Sequence, residues 1–210
     1  MLRNSIGLGL AVGTYGLSLG AVASAAGLSV AQACATSLLM FTGASQFALV
    51  GVLGAGGSAA AGVVGALLLG SRNTLYAVRL AELLRLSGPR RVAAAQLTLD
   101  ESTAMATAAP PGLERTAFWA TGITIYLLWN LMTLLGAVGA AQLGDPGRFG
   151  LDAVAPAAFL ALLAPRLRER ESLRIAVGGA LLALAAVPFT PAGVPVLLAG
   201  LAVVPVLVRR

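Results

Sequence analysis

Few residues of this 210-residue chain could bind a ligand, and they stand out against apolar surroundings. Arg72 directly follows twelve apolar or small residues, 59–70, and Asn73 places an amide beside it. An ionisable side chain in an apolar span costs roughly 2.5–3.5 kcal/mol on insertion scales, so it usually faces a cavity, a partner or a substrate. We therefore expect Arg72 to lie well inside a membrane, where it can bind an anionic group.

Asp100 and Glu101 form an acidic pair within another apolar run. Adjacent residues on a helix point about 100° apart, so the two carboxylates cannot act as a facing catalytic dyad. One of them could face a translocation path and carry a proton at membrane depth. Alternatively, the pair is interfacial and one acid binds a nearby arginine.

A third polar group lies in Gly43-Ala44-Ser45-Gln46-Phe47. Gly43 permits close approach or unwinding of a helix. Ser45 and Gln46 can bind the ammonium or carboxylate of a substrate, or they can form hydrogen bonds between helices.

The composition excludes most other classes of protein. The chain is 58% apolar and 10% charged with a mean hydropathy of +0.90, whereas a soluble domain has about 25% charged residues. It has no histidine and one cysteine, which excludes an internal disulfide, a Ser-His-Asp triad and the common zinc motifs. We predict no cofactor, no metal site and no enzymatic activity. All fourteen basic residues are arginines placed between apolar runs, a pattern typical of cytoplasmic loops and not of nucleic-acid binding.

The elements that must position these residues are apolar segments. They predict an all-α, polytopic membrane bundle with one transmembrane transporter domain over residues 1–210. The eight segments are 6–27, 31–53, 58–86, 92–108, 117–141, 151–165, 175–189 and 194–208.

Arginine clusters constrain the path of the chain, because cytoplasmic loops carry the excess of basic residues. Arg3 and the clusters 85–91, 166–174 and 209–210 should all lie on the cytoplasmic side. Three apolar segments lie between the first two markers and three between the next two, so each interval should contain a segment that is broken or fails to cross. This arrangement fits two related halves with a discontinuous or re-entrant helix each, followed by a terminal hairpin.

Two positions in each half could hold the break. In the first half they are the Gly43 segment or Gly70-Ser71. In the second half they are Ala155-Pro156 or the chain near Asp100.

With these features in place, the sequence resembles the AzlC-type branched-chain amino-acid permeases, whose better-known members are exporters. The resemblance covers about residues 5–170, and residues 175–210 match only as a hydrophobic hairpin. It is carried by Gly27-Leu28-Ser29 followed by Ser37, FTGASQF (41–47), SRNTLYAVRL (71–80), LTLDESTAM (97–105) and FGLDAVAPAAFLALL (149–163).

One position departs from the family pattern. Many members carry Asn-x-Arg-His where this chain has Gly70-Ser71-Arg72-Asn73, so the imidazole is absent. If a group titrates during transport, it must be Asp100, Glu101 or Asp152.

The resemblance implies export of valine, leucine and isoleucine across the cytoplasmic membrane, driven by the proton gradient, with a small hydrophobic AzlD-type membrane partner. Gly43, Ser45, Gln46, Arg72 and Asn73 would then line the site, with Arg72 on the substrate carboxylate. Asp100 or Glu101 would bind the ammonium group or the coupling proton. The alternatives are a passive channel or pore subunit, an uptake permease component for small amino acids, and an integral-membrane enzyme.

Overall fold

The computed structural model describes residues 2–142, 157, 160, 163–191 and 193–208, and throughout these ranges the regular structure is helical. The helices are α1 (Leu2–Ala25), α2 (Val30–Leu39), α3 (Ala44–Gly54), α4 (Ala59–Gly70), α5 (Arg72–Leu84), α6 (Gly88–Gln96), α7 (Asp100–Thr107), α8 (Glu114–Gln142), α9 (Arg170–Ala186), α10 (Val194–Ala199) and α11 (Val204–Val208). Short 3-10 turns cover Arg166–Arg168, Val187–Phe189 and Gly200–Val203.

Three helices in the described ranges are long and apolar enough to cross a membrane: Asn4–Ala25, Glu114–Gln142 and Arg170–Phe189. Large apolar side chains face outward on several helices, including Leu67, Leu75, Leu127 and Leu184, each more than 60% exposed. Water would disfavour such a surface, whereas lipid would not.

The centre of the fold is the pair α1 and α8, which run parallel. Ser5 Oγ lies 3.0 Å from Thr121 Oγ1, and further along both helices Ser24 Oγ donates a hydrogen bond to Ala137 O. Glycines permit a very close approach between them: a Cβ atom on Gly16 would lie 2.6 Å from Trp129 O. Small residues at such contacts let helix backbones pack directly against one another.

The chain from Val30 to Gly54, the first hairpin, does not continue across the bundle. Its tip, residues 40–43, reaches the middle of α8, where the Phe41 and Tyr126 rings pack edge to face with centroids 4.9 Å apart. It then returns, because a Cβ atom on Gly54 would lie 3.2 Å from Ala26 Cβ, at the end of α1 from which the hairpin started. The predicted break at the Gly43 segment is confirmed, and the broken segment is re-entrant.

The chain from Gly88 to Thr107, the second hairpin, has the same form. It starts beside the beginning of α8, where Arg115 Nε donates a 2.8 Å hydrogen bond to Leu84 O. Its tip, residues 97–99, reaches Gly122, and α7 leads back through a short turn to Glu114. The predicted break near Asp100 is therefore confirmed.

The two hairpins enter the bundle from opposite ends, because α1 and α8 are parallel and the first hairpin joins the end of α1 while the second joins the start of α8. Their tips meet: Gln96 Nε2 donates a 2.9 Å hydrogen bond to Leu38 O. Arginines 85, 90, 91 and 115 lie at the open end of the second hairpin, and the open end of the first hairpin, residues 26–29 and 55–58, carries no charge. For the 85–91 cluster this distribution agrees with the parity argument, whereas Arg166 of the 166–174 cluster lines a cavity in the middle of the bundle.

Helices α4 and α5 connect the two open ends. The interruption at Ser71 is a single residue with helical dihedral angles, and its hydroxyl donates a 2.6 Å hydrogen bond to Leu68 O. The other predicted break of the first half is thus a local irregularity. Arg72 follows it about 20 Å along the axis from Ala59, a distance of roughly two-thirds of the thickness of a hydrocarbon core.

The C-terminal helices form an antiparallel hairpin, with Gly179 against Ala199 and Gly178 against Ala202. It touches the rest of the bundle where Gly193 lies against Val52 and Ala61. The predicted break at Ala155-Pro156 lies outside the described residues.

Candidate functional site

A cavity of about 210 Å³ lies where the two hairpin tips meet the central helices. The first hairpin contributes residues 41–44 and 47, and the second contributes 99–101. The other lining residues are Val12, Tyr15, Arg72, Ile125, Trp129 and Arg166. Because Trp129 packs beside Gly16, the cavity lies near the middle of the parallel helix pair.

An ion pair forms one wall of this cavity. Arg72 Nη1 lies 3.1 Å from Asp100 Oδ2, and the two side chains are 40% and 38% exposed. Asp100 Oδ1 is buried and has no hydrogen-bond partner among the described residues. The expected alternative, an acid paired with a nearby arginine, is therefore found for Asp100, but the pair lines a cavity, and the Tyr76 hydroxyl lies near the same carboxylate.

The two acids begin α7, and this position suits their charge. A helix N-terminus carries a partial positive charge, so Asp100 and Glu101 in the first turn are stabilised there. Ser102 fixes the tip before them, since its hydroxyl accepts a 2.9 Å hydrogen bond from Leu99 N and donates a 2.6 Å bond to Leu97 O. The second hairpin thus holds two carboxylates at the cavity on a well-satisfied turn.

The N-terminus of α3 faces the same cavity without an acid. Gly43 precedes the helix with φ of +35°, a conformation that favours glycine, and no side chain caps the helix. A Cβ atom at this position would also lie 3.4 Å from Cη2 of Trp129, so a larger residue would crowd the ring. Ser45 N already donates a 3.1 Å hydrogen bond to Thr42 O, so the first turn of α3 has the backbone N–H groups of Ala44 and Gln46 left to offer to the cavity.

The remaining lining is mainly apolar. The walls are formed by aliphatic and aromatic side chains, namely Val12, Tyr15, Phe41, Phe47, Leu99 and Ile125. A mostly apolar cavity with a few polar groups is the common form of a small-molecule site.

The structure brings together four of the eight residues predicted from the sequence. Gly43, Arg72, Asp100 and Glu101 line this cavity. Asp152 lies outside the described residues.

Ser45 and Asn73 line a neighbouring cavity of about 530 Å³ on the other side of the tip. Thr42 lines both cavities. Gln46 is fully buried, neither of its amide atoms has a partner among the described residues, and it lines neither of these two cavities. Successive side chains at a helix start point in different directions, so Gly43, Ser45 and Gln46 could not all face one space.

Two residues of the cavity were not singled out from the sequence. The indole nitrogen of Trp129 and the hydroxyl of Thr42 are buried, and neither has a hydrogen-bond partner in the described ranges. A tryptophan in the middle of an apolar helix looks like a packing residue. Thr42 lies in the FTGASQF stretch that carries the resemblance, but its residue type alone did not mark it as a ligand.

Comparison with known proteins gives one match. No curated protein and no solved structure matches the chain. The family model described as AzlC protein matches residues 7–143, which include most of α1, both hairpins and α8. Since this match covers well over half of the chain, the protein belongs to the AzlC family, a transporter family associated with branched-chain amino acids.

Proposed function

We propose that this protein exports branched-chain amino acids across the cytoplasmic membrane, driven by the proton gradient. The observation that carries the proposal is the Arg72–Asp100 pair in a cavity between two opposed hairpin tips, whose walls are mainly apolar apart from this pair, Glu101 and Arg166. A zwitterionic amino acid can replace this pair charge for charge, with its carboxylate on Arg72 and its ammonium group on Asp100. The apolar walls would receive an aliphatic side chain.

The position of the cavity supports a carrier. Each hairpin is anchored at one end of the bundle, and the tips meet at the site, so movement of one hairpin would open the site to one side only. Broken helices around a central site are common in secondary transporters. We place the arginine-rich open end of the second hairpin in the cytoplasm.

Glu101 is our candidate for the coupling proton. It lines the cavity next to Asp100, and no described arginine lies within ion-pair distance of it, whereas Asp100 is paired with Arg72. An acid without a partner cation can take up and release a proton without first breaking a salt bridge. Asp152 is the third candidate for the residue that carries the coupling proton, after Glu101 and Asp100. We also propose that the path beyond the site is lined by Ser45, Gln46 and Asn73.

Counterflow in proteoliposomes tests the carrier. Vesicles loaded with unlabelled leucine should accumulate labelled leucine, since only a carrier is accelerated by substrate on the far side, and a channel would show no acceleration. Hydrogen bonds to charged groups contribute about 1.5–3 kcal/mol, so Arg72→Ala should weaken leucine binding by about ten- to a hundredfold. Arg79→Ala is the matched control, because Arg79 lies on the same helix and pairs with Glu82 at an exposed position. Equal loss in both variants would contradict the proposed site.

The direction and the coupling need separate experiments. Cells loaded with a leucine-containing dipeptide should release leucine faster with the protein than without it. In vesicles, Glu101→Gln should abolish acceleration by a pH gradient and retain counterflow. Proton-driven flux that survives in both Glu101→Gln and Asp100→Asn would contradict the assignment of the coupling proton.

The AzlD-type partner belongs to the proposal as well. Co-expression of such a small membrane protein with a tagged form of this chain should yield a complex that survives purification in mild detergent. Full export by this chain alone would show that the partner is dispensable.

A further inference from the structure

The uncapped N-terminus of α3 leaves a positive pole at the cavity. No acidic residue lies in its first turn, and Gly43 contributes no side chain. Backbone N–H groups and the helix dipole make such an end suitable for an anion. A helix end alone does not define a site, so a second observation is needed.

Trp129 provides that observation. Its side chain is 4% exposed, yet its Nε1–H has no acceptor among the described residues although it borders a cavity. The six-membered ring lies against the tip, since Cη2 and Cζ2 are 3.4 and 3.8 Å from the place of a Cβ atom on Gly43, and Nε1 is two bonds away from Cζ2. Buried polar groups are nearly always hydrogen-bonded, so an unpaired indole N–H beside an uncapped helix points to an absent acceptor.

We infer that Trp129, Thr42 and the first turn of α3 bind one oxygen of the substrate carboxylate, while Arg72 binds the other. A carboxylate has about four acceptor positions, and the Arg72 guanidinium, once released from Asp100 by the ammonium group, would satisfy about two of them. The Nε1–H of Trp129 and the Thr42 hydroxyl would be the neutral donors on the opposite side. This inference rests on the proposed function as an amino-acid carrier, and it adds a subsite that selects for the carboxylate.

A role in packing alone makes a different prediction. If the ring only fills space between α8 and the hairpin tip, any side chain of the same shape would serve. If the N–H binds substrate, the shape is insufficient and the donor is required. The two roles can therefore be separated by removing the donor while keeping the volume.

Binding can be measured directly, because the chain has two tryptophans. Trp119 does not line the cavity and packs edge to face on Phe118, with ring centroids 5.5 Å apart. In the Trp119→Phe protein all tryptophan emission comes from Trp129. Leucine should shift this emission saturably, whereas isoamylamine, which is leucine without its carboxylate, should not shift it at the same concentrations.

The decisive variant places β-(3-benzothienyl)alanine at position 129 in the Trp119→Phe background, because sulfur there replaces the N–H in a ring of nearly the same size. Calorimetry should show leucine binding weakened about ten- to a hundredfold, the effect of one lost hydrogen bond to a charged carboxylate. The thermal unfolding midpoint should stay unchanged, and binding of isoamylamine should not weaken further. Thr42→Val should weaken leucine binding in the same direction.

The outcomes distinguish the two claims. Unchanged leucine affinity in the benzothienyl variant would overturn the carboxylate subsite and leave the carrier intact. Absence of both leucine binding and leucine counterflow in the Trp119→Phe protein would overturn the proposed function, and the subsite with it.

Discussion

The contact between α1 and α8 allows a stability prediction whose size follows from the geometry. A Cβ atom on Gly20 would lie 2.5 Å from Ala137 N and closer still to Thr133 O, and Cβ atoms essentially never come within 3.0 Å of another heavy atom. Both neighbours are backbone atoms and cannot rotate away. Gly20→Ala must therefore push the two helices apart by at least 0.5 Å at this point.

The cost of this separation can be estimated. A gap of about 0.5–1 Å removes a quarter to a half of each van der Waals contact, and overpacking typically costs about 1–3 kcal/mol. The higher helix propensity of alanine offsets up to about 1 kcal/mol of this. We expect a net loss of about 1–2 kcal/mol, which corresponds to a midpoint about 2–8 °C lower for a chain of this size.

Gly7 supplies the matched control. It lies on the same helix, but a Cβ atom there would have no heavy atom within 4 Å. Thermal unfolding can be followed in detergent by size-exclusion chromatography of heated samples. The unfolding midpoint of Gly7→Ala should equal or exceed that of the unmodified protein, and the midpoint of Gly20→Ala should be lower. If Gly20→Ala unfolds at the same temperature as Gly7→Ala, the direct backbone contact between α1 and α8 is refuted.

Three further predictions concern individual contacts. Gln96→Leu removes the hydrogen bonds from Nε2 to Leu38 O and Leu39 O. Since such bonds contribute about 1 kcal/mol, amide hydrogen exchange in the tip of the first hairpin should accelerate by up to about fivefold. Unchanged exchange would show that other contacts hold the two tips together. Ser5→Ala leaves the fully buried Thr121 hydroxyl unpaired and should lower the free energy of unfolding by about 1–3 kcal/mol. In the same unfolding assay, the double variant Ser5→Ala/Thr121→Val should recover most of this loss. Arg79→Ala should shift the unfolding midpoint by less than about 1 °C. The side chains of Arg79 and Glu82 are 63% and 72% exposed, so their ion pair contributes only a few tenths of a kcal/mol. A larger drop would mean that Arg79 has another partner.

Each break lies at one of the two positions that the sequence offered for its half, because these candidates depend on local chemistry. Gly43 can adopt a positive φ, and Asp100 has a carboxylate that is costly in the middle of an apolar helix and favourable at a helix start. A charged side chain in an apolar run is energetically unfavourable, so the sequence also predicted a polar environment for Arg72. These features need no knowledge of distant parts of the chain.

The meeting of the two tips could not be predicted in the same way. Residues 31–53 are long enough for a crossing or for a hairpin, and apolar composition does not distinguish the two. The choice depends on whether Gly54 returns to Ala26, which is a contact between distant positions. The role of Trp129 was missed for a related reason, since its unpaired N–H becomes visible only when its neighbours are known.

The two hairpin tips have the same backbone arrangement, but the local charge at one tip is opposite to that at the other. Each interrupts a helical segment, and each directs the N-terminus of its second helix toward the same cavity. At α7 the partial positive charge of the helix end is compensated by Asp100 and Glu101, so that side of the cavity is negative. At α3 nothing compensates it, so that side is positive. A cation alone would leave the α3 end unsatisfied, and an anion alone would leave Asp100 Oδ1 without a donor. The cavity therefore matches a ligand that carries both charges a short distance apart, as an α-amino acid does.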